Sequence, residues 1–324
     1  MTYKLKKQKN KMSKILVTGG AGFIGSALTE RLIENKDNFV VVVDNLFSGD
    51  VGKLPKAKHN NLKFIKCDVN IREDISEIMT TYQFDYVFHF AAFVGVLKTL
   101  ENPVGVLADL DGIKNILDLC KNTGVKRIYF SSSSEVYGEP VELPQNEETT
   151  PLNSRLPYAI VKNAGEAFLK AYNAEFGLDY TIFRFFNTYG PKQSKNFVIS
   201  KFINFALNNK DITIYGNGKQ TRTFCYINDN IDACINSFYD NKFINDVLNI
   251  GNDIEFTIQE VAELVIKITK SKSKIIFVDP LKEGDMTRRQ PDLSKMREVF
   301  TKKHLILEEG IKNILKEGLF ELEN

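Results

Sequence analysis

The sequence predicts an α/β protein, a doubly wound parallel sheet with a smaller α/β cap formed by its C-terminal third. Two observations indicate this fold. Short β-branched runs alternate with longer amphipathic stretches from residue 14 to about 185, and a glycine-rich segment follows the first run directly. A parallel sheet with crossover helices requires that alternation. After Pro191 the alternation stops, which predicts a second, smaller unit.

Six segments are predicted to be strands of the sheet, because their continuous apolar character suits strands buried on both faces. In chain order they are KILVTG, FVVVVDN, LKFIKCDV, YVFHFAA, RIYFSSS and YTIFRFFN. The stretches at about 23–35, 71–81, 103–123 and 157–176 are predicted to be helices. We expect the last to end before Gly177, since glycine readily adopts the left-handed conformation that closes a helix.

The rest of the chain predicts the cap. A helix near 197–209, a strand at ITIYG, a helix at QEVAELVIKITK and a strand at KIIFVDP accompany two polar loops, GNGKQTR and EGDMTRRQPDLSK. We expect residues 14–190 to form the sheet domain and residues 191–324 to form mainly the cap over its carboxyl edge, with the chain crossing between the two. Residues 1–13 are rich in lysine and lack an apolar stretch, so they are expected to be a disordered basic leader.

Composition excludes several classes of protein. The 324 residues are 43% hydrophobic and 26% charged, and the net charge of +2 leaves no basic excess for nucleic acid. No apolar run approaches the ~20 residues needed to span a bilayer. Four scattered cysteines and only three histidines fit reduced thiols in a cytoplasm and argue against a metal site.

The glycine-rich segment predicts a dinucleotide site in a Rossmann-like sheet. Gly19, Gly22 and Gly25 lie between the first strand and the first helix, where glycines permit a tight turn and close approach to a pyrophosphate. The second strand ends at Asp44, whose carboxylate would accept hydrogen bonds from a ribose and repel an added phosphate, which favours NAD over NADP. Further cofactor contacts are expected from Phe23, Ile24, Asn45, Asp68, Val69, Ala91 and Ala92.

Tyr158 and Lys162 stand one helical turn apart in YAIVK and predict a catalytic base that also touches the cofactor. Tyrosine ordinarily has a pKa of about 10. A neighbouring ammonium and the positive nicotinamide are therefore expected to favour the phenolate. Ser133, at the end of the fifth predicted strand, would hold the substrate oxygen that loses its proton to Tyr158, while a hydride passes to NAD.

With these features the chain resembles the extended short-chain dehydrogenase/reductase family, the NAD-dependent epimerases and dehydratases of nucleotide sugars. The matching pieces are TGGAGFIGS, HFAA, SSSSEVYG, YAIVK, RFFNTYGP and TRTFCYIND. The resemblance implies oxidation at C4 of a hexose in surface-polysaccharide biosynthesis, with residues 14–190 binding NAD. It also implies a homodimer that pairs the helices at 103–123 and 157–176, although their apolar residues could equally face their own sheet.

The resemblance further implies contacts with the nucleotide sugar. These come from Ser134, Asn187, Arg222, Asp285 and either Arg288 or Arg289. As alternatives, Asn187 could cap a turn and Arg222 could pair with Asp229. Lys282 stands where many uridine-nucleotide epimerases carry arginine, which leaves the nucleotide base open.

The sequence leaves the product open. Net 4-dehydrogenation or 4-epimerisation is favoured, because Ser134 stands where thymidine-diphosphoglucose dehydratases have an aspartic acid. The run FVGVLKTLENPVGVLADLDG is also similar to that of capsule-locus dehydrogenases of a GDP-heptose. Glu135 could act as a base at C5, so a GDP-mannose-type 4,6-dehydratase and a UDP-glucuronate decarboxylase are alternatives. A non-catalytic dinucleotide sensor is a remote one, since such proteins commonly lack the tyrosine or the lysine.

Overall fold

The computed structural model describes residues 12–56, 59–95, 99, 101–280 and 286–317. The strands in this part of the chain are β1 (Ser13–Thr18), β2 (Asn38–Asp44), β3 (Leu62–Lys66), β4 (Tyr86–His89), β5 (Arg127–Ser133), β6 (Asp179–Phe185), β7 (Thr188–Tyr189), β8 (Ile212–Tyr215), β9 (Thr221–Thr223), β10 (Cys225–Tyr226), β11 (Asp246–Ile250), β12 (Glu255–Thr257) and β13 (Ile275–Val278). The α-helices there are α1 (Phe23–Glu34), α2 (Arg72–Tyr82), α3 (Pro103–Leu107), α4 (Asp109–Thr123), α5 (Pro157–Phe176), α6 (Val198–Leu207), α7 (Ile227–Tyr239), α8 (Ile258–Thr269) and α9 (Leu307–Lys316).

Seven strands form one parallel sheet in the order β11-β6-β5-β4-β1-β2-β3. This order confirms the predicted Rossmann-like, doubly wound fold. The direction of strand order reverses between β1 and β4. In sheets of this kind a crevice opens outside the carboxyl ends of the strands at such a reversal, and ligands bind there.

The central strands of the sheet are buried on both faces. Alternate residues of β1 and β2 enter two different apolar clusters, Ile15, Val17, Val40 and Val42 on one side and Leu16, Val41 and Val43 on the other. All seven side chains are fully buried. Because neither face meets water, these strands appear in the sequence as unbroken apolar runs.

The prediction of six strands was wrong by one. β11 lies in the part of the chain assigned to the cap, yet it pairs with β6 from Asp246 opposite Thr181 to Ile250 opposite Phe185. Its five residues, DVLNI, include an aspartate and an asparagine, so they carry a weak strand signal. Pairing with β6 therefore decides the conformation of this segment.

The helix predicted at 103–123 is divided into α3 and α4. The two helices meet at Ala108, whose backbone remains helical with φ −62° and ψ −22°. The division is therefore a local change in hydrogen bonding. α5 has the predicted bounds, and Gly177 closes it in the left-handed conformation, with φ 69°.

The C-terminal elements form small sheets beside the main one. β8 pairs with β13, β9 with β12 and β7 with β10. The apolar cluster on one face of the main sheet continues into α6, α8 and α9. Most of the predicted leader lies outside the described residues, and β1 already begins at Ser13. Among the described helices, none has the length and apolarity needed to cross a membrane.

Candidate active site

A cleft of about 420 Å³ opens at the carboxyl ends of the sheet strands. Its lining brings together every residue expected to bind the cofactor or to catalyse: Gly19, Gly22, Phe23, Ile24, Gly25, Asp44, Asn45, Asp68, Val69, Ala91, Ala92, Ser133, Glu135, Tyr158 and Lys162. Ser134, Asn187 and Arg289 also line it. The fold thus gathers residues from distant parts of the chain in one place.

The turn between β1 and α1 is closed too tightly for side chains. Gly19 has φ +66°, and a Cβ there would lie 2.6 Å from the backbone nitrogen of Ala91. A Cβ on Gly25 would overlap the carbonyl oxygen of Gly19. Gly22 is the N-cap of α1 and contributes no capping side chain, so the first N–H groups of the helix are available to a phosphate. This turn fits a dinucleotide pyrophosphate.

The ends of β2 and β3 form a polar rim around the expected ribose position. Asp44 accepts hydrogen bonds from the backbone of Ala21 (3.1 Å) and Leu46 (2.8 Å), one on each oxygen. Each of these oxygens keeps a second lone pair that can accept from a ribose hydroxyl. Asn45 donates to Asp68 at 3.0 Å and links the two strand ends. The rim therefore fits NAD.

A buried pair that the sequence did not reveal fixes the ends of β1 and β4. The Thr18 hydroxyl lies 2.8 Å from Nδ1 of His89 and accepts from the backbone of Phe90 and Ala91, both at 3.1 Å. Burial, with the positive charge of Lys162, lowers the pKa of His89 to about 3. His89 is therefore neutral. Because the Thr18 hydroxyl oxygen already accepts two hydrogen bonds, its O–H donates to Nδ1 of His89, which acts as the acceptor.

Ser133, Tyr158 and Lys162 lie together on one wall of the cleft. Ser133 ends β5, while α5 carries the other two on one face. The Lys162 Nζ atom lies 5.7 Å from the centre of the Tyr158 ring. Burial lowers the pKa of Lys162 to about 8, although the negative charges of Asp109 and Glu166 act in the opposite direction.

The Tyr158 phenol is neutral in the protein alone. Burial raises its pKa above the usual range, and the charge of Glu135 adds to the increase. Hydrogen bonding with Ser133 and the positive charge of Arg289 lower the pKa by less. The expected lowering of the phenol pKa is therefore wrong for the protein alone, because desolvation of the phenolate dominates.

Residues 133–135 and Arg289 form a second polar group beside Tyr158. The Glu135 carboxylate lies 3.6 Å from the Arg289 guanidinium, and the two side chains are only 18% and 8% exposed. The hydroxyl of Ser134 is buried and has no hydrogen-bond partner within the described part of the chain. A cation and a free hydroxyl therefore face the space next to the candidate base.

The other expected nucleotide contacts differ in position. Asn187 lines the cleft, but its amide donates to the Thr223 carbonyl at 3.0 Å. This bond resembles the alternative in which Asn187 caps a turn. The Arg222 guanidinium donates to the Thr221 carbonyl at 2.8 Å and is not part of the cleft lining, so its contact with the diphosphate stays a prediction. Arg288 lies outside the cleft and pairs with Glu255 at 2.7 Å, so of the two arginines Arg289 faces the site. Asp285 lies outside the described residues, as does Lys282.

Further lining residues were not predicted from the sequence, among them Phe47, Phe93 and Asp109. Phe47 follows the end of β2, and its ring centre lies 5.2 Å from that of Phe93. Asp109 begins α4 and accepts a hydrogen bond from the Phe93 backbone at 2.6 Å. Its carboxylate also interacts electrostatically with the Lys162 ammonium. Phe47 sits two residues after the recognised Asn45, which is a local signal. Asp109 has no comparable signal, because its position depends on tertiary packing.

Comparisons with known proteins agree with this geometry. The sequence model of the NAD dependent epimerase/dehydratase family matches residues 15–251. The chain is 36% identical over 324 residues to a UDP-N-acetyl-alpha-D-glucosaminuronate decarboxylase of Bacillus cytotoxicus, covering 95% of this chain and 98% of that protein. It is 35% identical over 308 residues to a putative UDP-glucose 4-epimerase of Methanocaldococcus jannaschii, covering 93% and 97% respectively. The crystal structure of a UDP-glucose 4-epimerase of Thermotoga maritima with UDP-glucose has a TM-score of 0.87 at 32% identity, covering 94% of this chain and 99% of that one.

Proposed function

Because the chain belongs to the NAD-dependent epimerase/dehydratase family, we propose that it oxidises C4 of a nucleotide-diphosphate sugar, with Tyr158 as the base. The observation that carries this proposal is the convergence of Ser133, Tyr158 and Lys162 in a cleft whose other end fits a dinucleotide. NAD, when bound, accepts the hydride that leaves C4. The relatives and the solved structure named above act on or bind UDP-sugars, which supports a nucleotide sugar as the substrate.

Residues of the chain itself bind the C4 hydroxyl and accept its proton. Ser133 holds the C4 hydroxyl, and the Tyr158 oxygen takes its proton. Lys162 would bind the nicotinamide ribose, and its positive charge near the phenol would stabilise the phenolate electrostatically. Burial strengthens such interactions, because water no longer screens them.

The Glu135–Arg289 pair supports decarboxylation of a uronate as the following step. A ketone at C4 is β to a carboxylate on C5, so the C5–C6 bond can break. Carbon dioxide then leaves, and the electron pair of the broken bond forms a C4–C5 enolate. Arg289 can bind the departing carboxylate and then stabilise the enolate by its charge. Glu135, beside it, can supply the proton that returns to C5, and return of the hydride to C4 would then leave loss of carbon dioxide as the only net change. The unpartnered hydroxyl of Ser134 gives the substrate a further hydrogen-bond partner.

Net 4-oxidation or 4-epimerisation is the second candidate. The similarity to 4-epimerases supports it, as does Ser134 in place of an acidic residue that would protonate a departing hydroxyl. Release of the ketone would make the protein a dehydrogenase, for example of a GDP-heptose. Return of the hydride to the opposite face would make it an epimerase. Both outcomes share the first step with decarboxylation.

We also propose a homodimer formed through α3 and α5. Val104, Leu107 and Ile160 are exposed by 80%, 42% and 45% on these two helices. Exposed apolar side chains grouped on neighbouring helices are typical of a protein interface.

A panel of nucleotide sugars with mass analysis tests the proposed function. Purified protein is incubated with UDP-glucuronate, UDP-N-acetylglucosaminuronate, UDP-glucose, GDP-mannose and GDP-manno-heptose. Loss of carbon dioxide identifies the decarboxylase, loss of two hydrogens the dehydrogenase, loss of water the dehydratase and a new epimer without mass change the epimerase. If every sugar is recovered unchanged, the proposal is wrong for these substrates.

A further inference from the structure

A fully buried ion pair lies directly behind the candidate catalytic residues. Arg184 on β6 donates two hydrogen bonds to Glu166 on α5, at 2.9 Å and 2.6 Å, one to each carboxylate oxygen. The two side chains are only 2% and 1% exposed. Glu166 stands one helical turn after Lys162, so the pair ties the catalytic helix to the sheet.

The same pair also holds both ends of the segment that carries Ser133 and Glu135. On one side, the Ser132 hydroxyl donates to Glu166 at 2.5 Å. On the other side, Arg184 donates to the hydroxyl of Tyr137 at 2.8 Å. All the side chains in these contacts are buried. The ion pair thus sets where residues 133–135 lie relative to α5.

The network continues to the segment that carries Arg289. The Tyr137 hydroxyl donates to Asn249 on β11 at 2.7 Å, and the Asn249 amide donates to the carbonyl of Gln145 at 2.9 Å. The backbone of Gln145 in turn bonds the carbonyl of Gln290 (2.7 Å) and the amide of Asp292 (2.8 Å). One connected set of hydrogen bonds therefore joins α5, the end of β5 and the residues on either side of Pro291.

We propose that Arg184 and Glu166 are positioning residues, which fix Tyr158 and Lys162 on α5 relative to Ser133, Glu135 and Arg289. This inference rests on the proposed function, because it assigns a task within that site. Stability alone explains the pair poorly, since replacing both members of a buried ion pair by apolar residues is often neutral or stabilising. Its geometry, with a bidentate bond and further hydrogen bonds to Ser132 and Tyr137, fixes the position of α5 relative to β6 and to the end of β5.

Glu166 has a second effect, through its charge. Its carboxylate and that of Asp109 act on Lys162 against the effect of burial. The other titratable groups facing Lys162 are Tyr158 on the same helix and the neutral His89 on β4. Without the Glu166 charge, the pKa of Lys162 should fall below about 8. Rates that depend on the Lys162 ammonium should then decline at a lower pH than in the wild type.

The test compares Arg184→Lys and the double variant R184M/E166M with Arg127→Lys. Arg127 is equally buried (3% exposed) and donates to the Lys242 carbonyl at 3.1 Å. It begins β5, about 20 Å from Ser133 at the strand spacing, so it matches Arg184 in burial but not in position. The readouts are the single-turnover rate of sugar oxidation, its pH profile, the urea midpoint and hydrogen exchange of residues 133–137.

We expect both Arg184 variants to slow sugar oxidation by about 10- to 100-fold with little change in KM, because small misplacements of reacting groups cost rates of this order. The double variant should keep its urea midpoint and exchange faster at residues 133–137. The acidic shift is expected in Glu166→Gln, which removes the carboxylate charge alone. Wild-type rates and exchange in a folded Arg184→Lys would overturn the inference, as would an equal loss in Arg127→Lys. If the wild type oxidises no sugar, the proposed function fails, and the exchange at residues 133–137 still decides the positioning role.

Discussion

The Glu135 carboxylate and the Arg289 guanidinium face each other at 3.6 Å within the cleft that holds Tyr158. The preceding residue, Arg288, extends to the other side and pairs with Glu255, with 48% of its side chain exposed. Two adjacent arginines therefore differ in burial, partner and access to the site. This contrast provides a matched pair of variants for the proposed chemistry.

Arg289→Met should lower turnover of the nucleotide sugar about 100- to 1,000-fold, the usual cost of removing one group that stabilises developing charge. Arg288→Met should stay within about threefold of the wild type, because a surface ion pair contributes at most about 1 kcal/mol. Product formation by both variants checks this. Equal losses of turnover in the two variants would show that Arg289 does not stabilise the developing charge.

Lys162→Met should stabilise the protein at pH 7 while abolishing activity. The pKa of Lys162 is lowered to about 8 from 10.5, so the charged lysine costs stability at any pH below about 8. At ~1.4 kcal/mol per pKa unit, the gain on removing the charge is about 3 kcal/mol. Between pH 8 and 10.5 the unfolded chain binds more protons, so wild-type stability rises and the difference should shrink. Urea unfolding of both proteins at several pH values measures this difference in stability. A variant less stable than the wild type at pH 7 would contradict the lowered pKa of Lys162.

Phe47→Ala should weaken retention of NAD. Phe47 is 66% exposed, and it packs against Phe93 over the part of the cleft near the expected adenosine. An aromatic contact of this kind contributes about 0.5–1.5 kcal/mol, so the Kd should rise by roughly tenfold at most. The control is Phe176→Ala, an exposed aromatic at the end of α5 away from the cleft lining. Calorimetric titration with NAD measures the Kd of each variant. Equal Kd values for both variants would exclude Phe47 from the site.

Val104→Glu should dissociate the proposed homodimer. Val104 is 80% exposed, and a glutamate in an apolar interface would leave a desolvated charge. Sedimentation of the wild type should give twice the mass of the variant. Val141→Glu, on a loop that is also exposed (63%), serves as the control and should remain dimeric. A monomeric wild type would refute the dimer.

Much of the cofactor half of the site could be predicted because its signals are local. Gly19 and Gly25 are required by backbone contacts within a single turn, and Asp44 follows directly from the end of a buried strand. Tyr158 and Lys162 share a helix face at a fixed spacing. Each of these depends on a few neighbouring residues, so the sequence pattern carries the information.

Contacts between distant residues could not be predicted in the same way. β11 is a strand because β6 offers it a partner, and Asn249 on it reaches Tyr137 across 112 positions of sequence. Arg289 could not be distinguished from Arg288, because only the fold determines which one turns inward. The pairing of Arg184 with Glu166 likewise arises from packing of α5 on β6.

The role of Tyr158 as the base is tested most directly by reduction of bound NAD by the nucleotide sugar in the wild type and in Tyr158→Phe. The substitution removes only the phenol oxygen, so NAD should still bind, and the rates are compared at equal NAD occupancy. If Tyr158 is the base, the rate of nicotinamide reduction should fall by about 10²- to 10⁴-fold, the usual contribution of general base catalysis. Reduction at the wild-type rate in Tyr158→Phe would exclude Tyr158 as the base.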